Sequence, residues 1–140
     1  MWPRINGLRT MELGTPGRMR GELNALTLSG TKRATAGLLI EYEREQEDLE
    51  TVGERMPLLD DDRKPIGMIE ITGVEVVPFS EVPWSFALAE GEGFTSIEDW
   101  REVHRRYFRD ADGVEVAADT PIVCLHYRLA DDTDGPAPLA

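Results

Sequence analysis

Apolar residues recur along this chain with two different periods, and the changes between them mark out helices and strands. Met19, Leu23 and Leu26 stand at i, i+4 and i+7, one stripe of a helix that Thr15-Pro16 opens and Gly30 ends. Pro16 then sits at the first helical position, where its missing N–H costs nothing, and Gly30 suits the left-handed turn that closes a helix. Leu38, Leu39, Tyr42, Gln46 and Leu49 repeat the helical spacing until Val52-Gly53, and Glu41, Glu43, Glu45, Glu47 and Asp48 form a solvated acidic face between them. Arg55 to Leu59 is a short strand and Asp60 to Pro65 a turn. Ile66 to Phe79 is a longer strand, dense in β-branched residues, in which Gly73 marks a bulge that lets a sheet curl.

Ser80 begins a short helix through Trp84, Phe86 and Leu88. Ser96 caps a longer one, with Asp99 in the capping-box position and Ile97, Trp100, Val103, His104, Tyr107 and Phe108 along its apolar side. After a turn at Ala111-Asp112-Gly113, Pro121 opens a last strand in which Val123, Leu125, Tyr127 and Leu129 alternate with Cys124, His126 and Arg128. The pattern predicts one α+β domain over residues 13–130. Residues 1–12, a mixture of Gly, Pro, Asn and Arg with Trp2 as the one bulky anchor, read as a loose arm, and residues 131–140 as a disordered tail.

Charge changes this picture in one respect. Fifteen Lys/Arg against 27 Asp/Glu give a net charge of −12, which repels nucleic acid and anionic membrane surfaces. Residues 1–37 are nevertheless basic, with six Lys/Arg and two Asp/Glu, so the acidity belongs to the remainder. Arg101, Arg105, Arg106 and Arg109 make a second basic patch on the helix after Ser96. A single cysteine, Cys124, suits a reducing cytosol, and the absence of a long apolar run predicts a cytoplasmic protein with no membrane span.

Metal chemistry finds little footing. Asp60-Asp61-Asp62 lacks the alternating spacing and distant Glu of a calcium loop, and Cys124 with His126 makes only two ligands of a zinc set. No metal or cofactor is expected. The segment that packing does not explain is Gly30-Thr31-Lys32-Arg33-Ala34-Thr35, where the chain leaves one element for the next. If it is extended, Lys32 and Thr35 face opposite sides; if it coils, they converge. Glu70 has the same ambiguity: opposite in parity to Ile69 and Ile71, it is either solvated or buried against a partner such as Lys32.

Gly30-x-Lys32-x-x-Thr35, Ile69-Glu70, Ala89-Glu90-Gly91-Glu92-Gly93, and then Ser96, Trp100-Arg101 and His104 together resemble the ASCH domain family, from about Leu13 to Leu129. Many members continue the first motif as Thr-x-Arg, whereas Gly37 stands there in this chain. The resemblance implies a PUA-like mixed β-barrel of about five to six strands with flanking helices. It also implies two classes of function. Some ASCH proteins are amidohydrolases that deacylate the exocyclic amine of modified cytidine, and their catalytic set carries over to Lys32, Thr35 and Glu92. Thr35 would be the nucleophile, Lys32 its base through a pKa depressed by burial and by Arg33, and Glu92 the acid, with backbone N–H groups around Gly30 and Thr31 holding the oxyanion. Thr35→Ala and Lys32→Ala would then abolish turnover and leave folding intact.

The other class is an RNA-binding or RNA-cleaving module, or a non-catalytic small-ligand binder. In that class Lys32, Arg33, Arg101, Arg105 and Arg106 would contact phosphate and Trp100 or Tyr107 would stack on a base; in either class Gly30, Arg33, Ser96, Trp100, Arg101 and Arg105 are expected to bind the nucleoside or short RNA ligand, and DNA is not expected as a partner.

Overall fold

The computed structural model describes residues 1–130; the tail at 131–140, expected to be disordered, lies outside the described residues. In chain order the elements are β1 (Arg4–Ile5), β2 (Leu8–Arg9), α1 (Arg18–Leu28), β3 (Ala34–Leu38), α2 (Leu39–Glu45), β4 (Arg55–Leu59), β5 (Pro65–Pro78), α3 (Trp84–Ala89), α4 (Ile97–Asp112) and β6 (Pro121–Leu129). β3, β6, β5 and β4 form one antiparallel sheet in that order, curled into half a barrel, and β1 and β2 form a separate hairpin. The α+β class stands. Its six strands are divided four and two between these sheets.

β5 and β6 pair along almost their whole length, as the β-branched run and the final alternation require. The register slips between Ile71 and Gly73, leaving Thr72 as the extra residue of a bulge. β6 is buried on both faces. Val123, Leu125 and Tyr127 join Met56, Leu58, Ile69 and Ile71 in one core, while Ile122 and Cys124 join Ala34, Leu38, Phe79, Phe86, Trp100 and Phe108 in the other.

Three expectations give way to local chemistry. The chain before residue 12 is a hairpin rather than a loose arm. Asn6 and Gly7 take positive φ at its tip, Arg4 Nη2 and Arg9 Nη2 donate to Glu47 and Glu54 at 2.8 and 2.7 Å, and Met11 bridges in parallel to Leu58. α1 starts after Gly17, two residues past the predicted position, and its inner side is partly polar: Arg20 donates to the Leu13 and Gly14 carbonyls, Asn24 to Leu59, and Thr27 bonds the Tyr127 hydroxyl. α2 stops at Gln46, which is left-handed at φ 55°, and does not run on to Gly53. That reversal turns Glu47 towards the hairpin, so this acid is not part of the solvated face, and brings the buried Glu50 to the Tyr42 hydroxyl at 2.8 Å.

Glu70 takes neither of the two roles open to it. It is half-buried between Arg55 and Arg128, at 3.2 and 3.1 Å, and does not reach Lys32.

Candidate functional site

Gly30 is left-handed at φ 81°, and its own N–H and those of Thr31 and Lys32 return to carbonyls of Thr27 and Leu26. This ending turns the chain inward, so Lys32 points under the sheet and is 2% exposed. It also uses up the donors around Gly30 and Thr31, which therefore offer no oxyanion hole.

The partners of Lys32 arrive on the loop after α3. Gly91, at φ 66°, crosses the Thr31 carbonyl so closely that a Cβ on it would stand 2.2 Å from that oxygen. Arg33 N–H fastens the same crossing by donating to the Ala89 carbonyl at 2.8 Å. Lys32 Nζ then donates to the Ala34 carbonyl at 2.7 Å, to Glu92 at 2.8 Å and to Glu90 at 3.3 Å. Three oxygens for three ammonium hydrogens satisfy the cation fully.

Glu90 is missing from the expected set, yet it is the hub. Its carboxylate accepts from the Trp100 indole N–H as well as from Lys32, and lies 3.3 Å from His104 Nε2. His104 Nδ1 donates to the Trp100 carbonyl at 2.9 Å, and its ring stacks on Trp100 at a centroid distance of 4.0 Å. The Ser96 hydroxyl begins α4 by accepting from Asp99 N–H at 3.0 Å, which sets the phase that brings Trp100 and His104 to this point. The signal for Glu90 was available in Ala89-Glu90-Gly91-Glu92: two acids at alternate positions before one glycine can both turn to one cation.

The charges shift accordingly. Burial works against the Lys32 ammonium, but Glu90 and then Glu92 outweigh it and its pKa lies above the ordinary value. A lysine depressed by Arg33 is therefore not what this site holds in its resting form. Burial likewise opposes the Glu90 carboxylate, but the His104 hydrogen bond, Lys32 and Trp100 hold it below the usual range. For Glu92 burial prevails over Lys32, and its carboxyl is pushed up.

Lys32, Thr35, Glu90, Glu92 and His104 line a cavity of about 340 Å³, which is continued by Met11, Met19, Leu23, Tyr42, Val103, Tyr107 and Phe108 and reaches Trp2 and Pro3. That volume is within the range of small-molecule sites, roughly 300–1,000 Å³. The structure thus brings Lys32, Thr35 and Glu92 to one cavity. Among the residues expected to bind substrate, none of Gly30, Arg33, Ser96, Trp100, Arg101 and Arg105 is in its lining. Trp100 is fully buried behind Glu90, Arg101 donates to the Ser80 carbonyl at 3.0 Å, Arg105 lies 5.3 Å over the Phe79 ring, and Arg33 is exposed.

A family model described as "ASCH domain" matches residues 9–131. Protein EF3133 from Enterococcus faecalis V583 is similar in structure, at 27% identity over 98% of this chain and 86% of that one with a TM-score of 0.79. An ASCH domain from Lactobacillus crispatus JV V101 is 31% identical over 87% of this chain and 79% of that one, with a TM-score of 0.76. An ASCH protein from Zymomonas mobilis, 14% identical over 81% and 72% of the two chains with a TM-score of 0.51, shares the PUA-like fold alone. No curated protein matches the chain.

Proposed function

The chain belongs to the ASCH domain family, and on that premise we propose that its cavity hydrolyses the amide of an acylated nucleoside, with N4-acylated cytidine as the substrate to test. The observation that carries this is the contact of Lys32 Nζ with Glu92, 2.8 Å apart, in a cavity that Thr35 also lines. An ammonium and a carboxyl of raised pKa at that distance can exchange one proton, and displacing water from around them favours the neutral pair.

The exchange leaves Lys32 as an amine and Glu92 as an acid. Thr35 Oγ attacks the acyl carbon while its proton passes to Lys32. Glu92 gives its proton to the exocyclic nitrogen, the C–N bond breaks, and the free cytosine amine departs. Water then attacks the Thr35 ester, Glu92 takes the water's proton, and Lys32 returns its proton to Thr35 Oγ as the carboxylic acid leaves. Lys32 and Glu92 are again ready to exchange.

The charges around the cavity favour this reading over RNA cleavage or RNA binding. Glu12, Glu41, Glu50, Glu90, Glu92 and Asp112 line it against Lys32 as the one Lys or Arg. Such a wall tolerates a neutral nucleoside and repels phosphate. Steady-state release of cytidine from N4-acetylcytidine tests the proposal: Thr35→Ala is expected to lower kcat at least about 10³-fold, and Thr35→Ser to restore part of it. Full activity in Thr35→Ala would exclude an acyl-threonine intermediate.

A further inference from the structure

Part of the cavity wall is not used by the chemistry above. Trp2 and Pro3, from before β1, form part of its wall beside Tyr42. The family match begins at residue 9, so it assigns them no part. We infer that the N-terminal hairpin supplies an aromatic subsite, Trp2 set against Tyr42, for the planar nucleobase of the ligand whose amide meets Lys32 and Thr35. This deepens the hydrolase reading and rests on it for the identity of that base.

Two rings held in fixed positions make such a subsite. Trp2 meets Tyr42 edge-on, with centroids 4.8 Å apart and planes at 81°. In that arrangement neither ring covers both faces of the other, so a third flat group can stack there. The Tyr42 hydroxyl donates to Glu50 at 2.8 Å, and the backbone N–H of Trp2 donates to Glu47 at 2.8 Å, which fixes the chain that carries the indole. The hairpin that carries Trp2 has two-residue strands and could not stand alone. Ion pairs from Arg4 to Glu47 and from Arg9 to Glu47 and Glu54 fasten it to the domain. Glu41 and Glu50, beside Tyr42 in the chain or bonded to it, also line the cavity, which suits an uncharged ring and not a phosphate.

Cytidine is the probe, titrated by calorimetry into the full chain. Trp2→Ala is expected to weaken its binding about tenfold or more, the size of a base–aromatic stack, and Trp2→Phe to keep it within about threefold. Cytidine should also quench the wild-type tryptophan emission, and Trp2→Phe should remove the quench, because of the three tryptophans only Trp2 lines the cavity. Unchanged affinity in Trp2→Ala, or a quench that survives in Trp2→Phe, would overturn the subsite. So would a wild type that hydrolyses an acylated amide yet binds no cytidine, and the hydrolase reading would then stand alone. If cytidine binds through Trp2 while no acyl amide is turned over, the subsite stands and the hydrolase reading falls.

Discussion

Lys32 is a cation in a place where an unpaired charge could not remain, and its neighbours decide what its loss means. Glu90 is 1% exposed and is held as a carboxylate by Lys32, Trp100 and His104 together. Removing the ammonium leaves that charge buried with its nearest cation gone, a change that typically costs about 3–5 kcal/mol. Lys32→Ala is therefore expected to lower the unfolding free energy by about that amount in urea titration, contrary to the sequence-based expectation that folding is untouched. Thr35→Ala removes a half-buried hydroxyl from an edge strand and should stay within about 1 kcal/mol of wild type. Equal stabilities for the two variants would show that Glu90 does not depend on Lys32. The difference matters for assays, because only the threonine variant reports on chemistry alone.

Among elements, the N-terminal hairpin is the one whose attachment depends on ionised groups, and pH should release it. The Arg4 hydrogen bond, aided by the Trp2 N–H and by Arg9, lowers the Glu47 carboxyl from 4.5 to about 2. A carboxyl lowered on folding stabilises the attached form above its ordinary value and loses that contribution as pH falls towards the folded one. The hairpin should therefore detach between about pH 4.5 and pH 2, seen as a change in emission present in wild type and absent from Trp2→Phe. Glu47→Gln removes the titrating carboxyl and should abolish this change; a change that persists with an unaltered midpoint would mean that Glu47 is not the fastening. This hairpin was illegible in the sequence because it has no apolar period: charge pairs across more than forty residues hold it. β5, β6 and α4 were legible for the opposite reason, since β5 and α4 bury an apolar stripe and β6 an apolar run on both faces. Glu92 was reachable through the resemblance, whereas Glu90, visible in the same stretch as an alternate acid, gains its role as the buried partner from the crossing of Gly91 over Thr31.

Across the whole molecule, the basic N-terminal segment does not become the open patch its composition suggested. Arg4 and Arg9 pair with Glu47 and Glu54, Arg18 with Glu22, and Arg20 is spent on backbone carbonyls, while Lys32 is enclosed. The four arginines of α4 are also engaged with Glu98, Glu102 and Asp110 on its outer side. What remains is a net charge of −12 and a cavity walled by carboxylates. Phosphate contacts gain their free energy by releasing counterions, a gain this surface can hardly provide. Cytidine carries no phosphate and stacks by contacts that salt does not screen. Its affinity is therefore expected to vary less than about twofold between roughly 50 and 200 mM salt, whereas a long single-stranded RNA should bind weakly at the lower value and lose most of that binding at the higher. The first is read by the quench of Trp2 and the second by direct titration of a labelled RNA. Tight RNA binding that persists at the higher salt would mean that a cationic path exists outside the cavity, and the nucleoside reading of the site would have to yield to it.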